Sequence, residues 1–254
     1  MTAPILQGAE PYSATGDARG ALVLHGFTGN PQSMRGLAVA LADAGFTVEM
    51  PLLPGHGTAV EDMLPTRWED WSAAAESAYV DLAARCEAVV VVGLSMGGTL
   101  SVWLGERHSE IAGLILVNPL VVPPGPEMVE GIKAMLEAGE ETIPGIGSDI
   151  ALEGSVESAY AQVPLRAAES LFTAAAEVEA HLSSVISPVL LFTSTQDHVV
   201  DPVSSDRVAE KVKGPVERII LERSFHVATL DYDKDEIEAR SVAFASELLP
   251  ATGA

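Results

Sequence analysis

The stretch GLSMG at residues 93–97 follows the apolar run AVVVV of residues 88–92 and precedes GTLSVWLG at residues 98–105. The valine run is typical of a buried strand, and the pattern after Gly97 predicts a helix. Glycines on both sides of the serine allow the strand and the helix to approach closely, and such a corner projects the serine hydroxyl clear of the sheet. The alternative is an incidental turn residue. We interpret Ser95 as the nucleophile.

The rest of the chain alternates short apolar runs with amphipathic ones. The apolar runs predict strands at residues 21–25, 46–50, 88–93, 112–118, 188–193 and 216–221. The amphipathic runs predict helices at residues 31–44, 68–86, 96–108, 202–212 and 233–248. This alternation is typical of an α/β protein with a mostly parallel sheet flanked by helices. Because 20 residues precede Ala21, at most one further short strand fits, so we expect six or seven strands.

The alternation is interrupted once, between the strand that ends near Asn118 and the strand that begins near Pro188. The intervening residues have mostly helical patterns, broken by PPGP at 123–126 and PGIG at 144–147. A compact fold rarely contains a structureless loop of that length. We therefore expect an inserted helical subdomain at residues 119–187, and a core formed by residues 1–118 and 188–254.

The composition limits the partners of the protein. Its 254 residues carry a formal net charge of −22, which argues against binding to nucleic acid or to anionic membranes. We see neither a signal peptide nor an apolar run long enough for a transmembrane segment. We therefore expect a cytoplasmic protein, and the sequence leaves open whether it is a monomer or a homodimer. Cys86 is the single cysteine, so no intrachain disulfide forms, and we interpret it as a small apolar residue rather than a nucleophile.

A serine nucleophile needs a base, and the base needs an acid that orients it. His226 lies just past the strand ending near Leu221, at the sheet edge where ligands and catalytic groups gather in open α/β sheets. Asp197 and Asp201 both follow the strand of residues 188–193. Asp201 precedes Pro202 and has the pattern of a helix cap, so we favour Asp197 as the acid.

The other histidines have less suitable positions. His25 ends the first strand, and we expect it to shape the turn that follows. His56 lies on a glycine-flanked loop, where a structural hydrogen bond is the favoured role. We expect His108 and His181 to be exposed on helices, and His198 to be a loop residue that points away from the site.

Ester chemistry also needs donors for the developing oxyanion. The backbone N–H of Met96 lies at the start of the helix after Ser95, where negative charge is favoured. A second donor is expected from the loop after the first strand, LHGFTGN at residues 24–30. We assign it to the N–H of Phe27. The Phe27 ring either lines the acyl site or packs beneath the loop.

Five motifs occur in a characteristic order: HGFTG at 25–29, LPGHG at 53–57, GLSMGG at 93–98, QDHVV at 196–200 and SFHVATLDYDKDEI at 224–237. With them the chain resembles the α/β-hydrolases of the carboxylesterase and bacterial monoacylglycerol lipase type over nearly its whole length. The resemblance implies an α/β-hydrolase fold with a small helical lid. It also implies a catalytic triad of Ser95, Asp197 and His226, with the oxyanion-hole amides of Phe27 and Met96.

The same resemblance implies two substrate contacts in the lid. The stretch GSDIALEGSVESAY at residues 147–160 is similar to the lid of the monoacylglycerol lipases. In that family an isoleucine lines the acyl pocket and a glutamate contacts the glycerol hydroxyls, and Ile150 and Glu157 match those positions. The intervening residues differ, however, and a solvated helix glutamate is the alternative for Glu157.

We therefore expect a serine carboxylic ester hydrolase that cleaves short- to medium-chain acyl esters, monoacylglycerols among them, through an acyl-enzyme on Ser95. Such a reaction needs no metal and no cofactor. One alternative is that the same triad hydrolyses thioesters, amides or carbon–carbon bonds, because fold and triad do not decide the chemistry. The other is a non-catalytic, hydrolase-like protein that binds a small ligand.

Overall fold

A central sheet organises the fold. The computed structural model describes residues 3–251, and this part of the chain contains nine strands: β1 (Tyr12–Ala14), β2 (Arg19–Leu24), β3 (Thr47–Met50), β4 (Ala88–Leu94), β5 (Gly113–Val117), β6 (Thr142–Pro144), β7 (Gln162–Pro164), β8 (Val189–Ser194) and β9 (Val216–Leu221). Seven of them form one sheet in the order β1-β3-β2-β4-β5-β8-β9, and β6 pairs with β7 separately. In the large sheet β1 is antiparallel to its neighbour and all other pairs are parallel. The predicted mostly parallel sheet is confirmed, and β1 is the extra short strand.

Helices cover both faces of this sheet. Among the described residues they are α1 (Arg35–Asp43), α2 (Val60–Met63), α3 (Trp68–Ala83), α4 (Met96–Gly105), α5 (Pro126–Glu137), α6 (Leu165–His181), α7 (Val203–Lys211) and α8 (Lys234–Leu248). One face packs against α3, α4, α6 and α7, and the other packs against α1 and α8. No helix within residues 3–251 has the length and hydropathy needed to cross a membrane.

The valine run of β4 is continuous because both of its faces are buried. Val89 and Val91 belong to the core beneath α3 and α4, whereas Val90 and Val92 belong to the core beneath α1 and α8. Successive side chains of a strand point to opposite faces, so a strand covered on both sides shows no polar alternation. The strand is thus fixed in the middle of the sheet, and its end is a rigid support for whatever follows it.

Two helix boundaries differ from the sequence patterns. The helix expected at residues 31–44 begins as a 3-10 turn and becomes α-helical at Arg35, and its Asn30 cap accepts the N–H of Gln32 at 3.0 Å. The helix after Ser95 ends at Gly105, so the prediction that His108 is an exposed helix residue is wrong. The His108 side chain is half-buried because it stacks on Tyr79 and hydrogen-bonds to glutamates.

Residues 118–188 connect β5 to β8, which are parallel neighbours. This connection contains α5, β6, β7 and α6, with irregular backbone between β6 and β7. One face of α6 is buried in the core, whereas α5 is mostly exposed, and a groove of about 600 Å³ lies between the two helices. The helical patterns at both ends of the connection match α5 and α6. The sequence does not reveal the β6–β7 sheet, because each strand is three residues long.

Candidate active site

Ser95 occupies a strained corner between β4 and α4. Its backbone has φ 54° and ψ −117°, a conformation that is costly for a residue with a side chain. The corner is tight, since a Cβ on Gly97 would lie 2.1 Å from the carbonyl oxygen of Leu24, and one on Gly93 would lie 2.1 Å from that of Gly97. The N–H of Ser95 donates to the carbonyl of Val117 at 3.1 Å. These contacts hold the serine at the carboxyl end of the sheet.

The N-terminus of α4 lies directly after Ser95. Met96 is the first residue of this helix and is fully buried. The N–H groups of a first helical turn have no acceptor inside the helix, and the helix dipole favours negative charge there. The geometry therefore places the Met96 amide beside the serine at an electropositive helix end.

His226 and Asp197 follow β9 and β8, the two strands at one edge of the sheet. Their side chains are 8% and 2% exposed, and His226 Nδ1 lies 2.7 Å from Asp197 Oδ2. A carboxylate only accepts hydrogen bonds, so Nδ1 carries the proton and Nε2 is left as the basic nitrogen. Asp197 Oδ1 accepts the N–H groups of Val199 and Val200 at 2.9 and 2.8 Å. The carboxylate is thereby fixed by its own loop.

Asp201, the other candidate acid, has a different environment. Its carboxylate accepts the N–H of Val203 at 2.9 Å, at the first residue of α7. The Asp201 side chain therefore caps the start of α7, although Pro202 and not Asp201 is the residue directly before the helix. His198 also points away from His226, because its Nδ1 hydrogen-bonds to Asp149 at 2.8 Å and its ring packs on Phe225.

The loop after β2 lies against Ser95. A Cβ on Gly26 would lie 3.5 Å from the Cβ of Ser95, which places this loop next to the serine side chain. Thr28 has φ 60°, so the loop turns sharply after Phe27. The Phe27 ring packs edge-on against Trp71 and His56, with ring centroids 5.6 and 6.3 Å apart. The ring thus supports the loop from beneath, which is the second of the two sequence interpretations.

Two buried histidines stabilise the same loop. His25 Nδ1 lies 3.0 Å from the carbonyl oxygen of Gly26, and its Nε2 accepts the N–H of Leu53 at 3.1 Å. His56 Nδ1 lies 3.0 Å from the carbonyl oxygen of Pro54. Burial lowers the pKa of His25 to about 4 and, together with the charge of His25, the pKa of His56 to about 3. Both rings are therefore neutral structural groups.

The structure brings Glu157 to the site but not on a helix. The residue lies in the irregular segment between β6 and β7, and its Oε1 would be 2.6 Å from a Cβ on Gly29. Burial raises the pKa of the Glu157 carboxyl, while the charge of His226 and the hydroxyl of Ser33 lower it. The alternative of a solvated helix glutamate is wrong, because Glu157 lies outside any helix and is half-buried. Ile150 is half-buried against the core beneath α1 and α8.

The irregular segment contacts both the loop after β2 and the loop after β9. The N–H of Tyr160 donates to the carbonyl of Thr28 at 3.1 Å, next to Phe27. At the other end, Asp149 accepts the N–H of His226 at 3.0 Å. Sequence reasoning assigned no role to Asp149, because its contacts come from loops that are distant in the chain. In the sequence Asp149 is a single acidic residue before the apolar Ile150, and the stretch around it has no helical or strand periodicity.

Across residues 3–251 no cluster of three or more histidine, cysteine, aspartate or glutamate side chains has the geometry to hold a metal ion. The groups at the carboxyl end of the sheet are the Ser95 hydroxyl, the His226 imidazole paired with Asp197, and the Met96 amide at the start of α4. This set can attack, protonate and stabilise a carbonyl compound.

Comparison with known proteins identifies the family. Residues 16–233 match the Hydrolase_4 family, described as serine aminopeptidase, S33. The chain belongs to this family of α/β-hydrolases. The predicted resemblance to serine hydrolases of the carboxylesterase and monoacylglycerol lipase type is confirmed by the relatives that follow.

Two curated relatives span nearly the whole chain. The chain is 42% identical over 245 residues to a thermostable monoacylglycerol lipase of Bacillus sp. (strain H-257), covering 95% of this chain and 96% of that protein. It is 26% identical over 242 residues to a carboxylesterase of Bacillus subtilis (strain 168), covering 94% and 97%. A solved structure from work on the metagenome-derived lipolytic enzymes LipS and LipT superposes with a TM-score of 0.92 at 41% identity, covering 96% of this chain and 100% of that chain.

Proposed function

We propose that this hydrolase cleaves carboxylic esters of short- to medium-chain acyl groups, monoacylglycerols among them, through an acyl-enzyme on Ser95. The observation that carries the proposal is the arrangement at the carboxyl end of the sheet: Ser95 lies in a strained corner after β4, and the buried Asp197–His226 pair lies on the loops after β8 and β9. The 42% identity to a monoacylglycerol lipase supports the choice of ester and alcohol.

In the first half of the proposed reaction the Ser95 hydroxyl oxygen attacks the ester carbonyl while His226 Nε2 takes its proton. Asp197 stabilises the resulting imidazolium through the 2.7 Å bond to Nδ1. The N–H groups of Phe27 and Met96 stabilise the oxyanion, and the imidazolium then protonates the departing alcohol. In the second half a water molecule loses its proton to Nε2, attacks the acyl-enzyme and releases the acid, and Ser95 regains its proton.

Substrate recognition is proposed for residues 119–187, which we interpret as a lid over the site. Ile150 would contact the acyl chain. Glu157 would accept hydrogen bonds from the glycerol hydroxyls, since its carboxyl lies beside Gly29 and the charge of His226 lowers its pKa. A half-buried carboxylate is costly where its oxygens lack donors, and a bound polyol would supply donors in addition to the Ser33 hydroxyl.

Amide hydrolysis is the second candidate, because the description of the matching family names a serine aminopeptidase. The two reactions share the nucleophile and differ in the leaving group. A comparison of kcat/KM values separates the two reactions. The substrates are 1-monoacylglycerols, p-nitrophenyl esters from acetate to palmitate, acyl thioesters and aminoacyl p-nitroanilides. We expect esters of medium chain length to be cleaved best. A preference of several orders of magnitude for anilides or thioesters would contradict the proposal. A cytoplasmic location and a monomeric or homodimeric state stay predictions.

A further inference from the structure

Asp149 is a buried carboxylate that the proposed reaction does not use. It is 8% exposed and lies in the irregular segment between β6 and β7. Its Oδ2 accepts the backbone N–H groups of His226 and His198 at 3.0 and 3.1 Å, and its Oδ1 lies 2.8 Å from His198 Nδ1. One side chain of the inserted segment thus bonds to the loop of the base and to the loop of the acid Asp197.

The peptide groups of His226 are held from both sides. While Asp149 accepts its N–H, the carbonyl oxygen of His226 accepts a hydrogen bond from Asn118 Nδ2 at 2.8 Å. The side chain is held separately through Nδ1 by Asp197. The position of the imidazole therefore depends on three anchors, and Asp149 is the one that comes from the inserted segment.

A second buried carboxylate fastens the same segment in place. Asp231 is fully buried and accepts the N–H groups of Ala151 and Leu152 at 2.7 and 2.8 Å, as well as that of Phe225 at 2.9 Å. The residues after Asp149 are therefore bonded to the turn that follows His226. These contacts make the seating of the segment and the conformation of the His226 loop interdependent.

We propose that Asp149 is a positioning residue, through which the inserted segment holds the catalytic base in its reactive place. This inference rests on the proposed function, because His226 is taken as the base. A displacement of about 1 Å at a catalytic group can cost about 100-fold in rate. The segment that carries Glu157, the proposed glycerol contact, thus also sets the position of His226. The same folded segment therefore orders both the base and the substrate contact.

The test compares Asp149→Ala with Asp149→Asn. The asparagine oxygen can accept both backbone N–H groups while its amide donates to His198 Nδ1 in the other tautomer, so the positioning bonds survive. We expect kcat for a p-nitrophenyl ester to fall about 100-fold in Asp149→Ala, with KM changed less than threefold, and to stay within about fivefold in Asp149→Asn. Should Asp149→Ala not fold, Asp149→Ser serves instead, since its hydroxyl is too short to reach all three donors.

Two control variants remove neighbouring bonds without touching His226. Ser155→Ala deletes the bond from the same segment to the carbonyl of Leu230, and His198→Ala deletes the side-chain contact of Asp149. Both are expected to keep kcat within about threefold. A kcat of Asp149→Ala within threefold of the parent, or equal losses in Asp149→Ala and Asp149→Asn, would overturn the inference.

Reaction with a fluorophosphonate separates this inference from the proposed function. The parent protein should be inactivated rapidly and Asp149→Ala about 100-fold more slowly, because phosphonylation of serine also needs the base. A parent protein that neither reacts nor hydrolyses esters refutes the proposed function itself. A parent that reacts, with Asp149→Ala reacting equally fast, refutes the positioning role alone.

Discussion

His226 Nδ1 lies 2.7 Å from Asp197 Oδ2, and the second oxygen of that carboxylate is occupied by the N–H groups of Val199 and Val200. The pair lies on the loops that follow β8 and β9. Ser95 follows β4, which β5 separates from β8 in the sheet. A carboxylate anchored by its own loop can orient an imidazole without moving itself. In the proposed reaction His226 therefore acts as a base only in the tautomer that Asp197 imposes.

Replacing Asp197 by asparagine tests this dependence. The amide keeps the size of the side chain but can donate to Nδ1, which moves the imidazole proton to Nε2 and removes the base. We expect kcat to fall about 10³- to 10⁴-fold with a small change in KM. Asp201→Asn is the matched control, since Asp201 bonds to the first residue of α7, and it should retain kcat within about threefold. Comparable losses in both variants would contradict the assignment of the acid.

Replacing Glu157 by glutamine tests the proposed glycerol contact. The change removes one carboxylate acceptor beside Gly29, and we expect kcat/KM for 1-monooctanoylglycerol to fall about 10-fold. Hydrolysis of p-nitrophenyl octanoate, which lacks the glycerol hydroxyls, should change less than threefold. Glu153→Gln is the control from the same segment, because Glu153 is exposed. An equal effect on both substrates would show that Glu157 acts on the acyl reaction and not on the alcohol.

The corner at Ser95 requires glycine at residue 97. A Cβ there would meet the carbonyl oxygens of Leu24 and His25 at 2.1 and 2.8 Å, and backbone atoms of a central strand cannot yield. We expect Gly97→Ala to lower the free energy of unfolding by about 1–3 kcal/mol or more and to abolish activity. Gly131→Ala in α5, where a Cβ meets nothing within 4 Å, should raise stability by up to about 1 kcal/mol. Urea unfolding at pH 7 measures both changes.

The buried histidines predict a loss of stability in acid. His25 and His56, with pKa values of about 4 and about 3, stay neutral while the unfolded chain binds protons below its histidine pKa of about 6.5. Stability therefore falls as the pH drops from about 6.5 towards 4, by about 1.4 kcal/mol per pH unit for each ring. Glu106 acts in the opposite direction, because burial raises its pKa to about 7 and the folded state binds its proton first.

A variant isolates the histidine contribution from that of Glu106. Asparagine at residue 56 preserves the donation to the carbonyl of Pro54 but has no titrating group. The difference in free energy of unfolding between His56→Asn and the parent should shift in favour of the variant by about 1.4 kcal/mol per pH unit between pH 6 and pH 4.5. A pH-independent difference for His56→Asn would contradict the account of the buried ring.

The sequence predicts those parts of the site that follow the rules of a parallel sheet. Ser95, Asp197 and His226 each follow an apolar strand, and the structure has all three at strand ends. Asp149 was not predictable, because it lies in a segment without periodicity and acts through contacts between residues distant in the chain. Glu157 lies in the same segment, and only the resemblance to the lipase lid, not periodicity, indicated that it belongs to the site. His108 was misplaced because its pattern continues that of α4, although the helix ends at Gly105.

The central claim is that Ser95 is the nucleophile that forms a covalent acyl-enzyme. The most direct test is to react the protein with an alkyl fluorophosphonate, to measure its intact mass, and then to locate the adduct by peptide mapping. The account predicts one adduct per chain, located on Ser95, with loss of monoacylglycerol hydrolysis in proportion to labelling. It also predicts that folded Ser95→Ala is neither labelled nor active, with activity reduced about 10⁶-fold. Labelling of another residue, or full ester hydrolysis by Ser95→Ala, would contradict it.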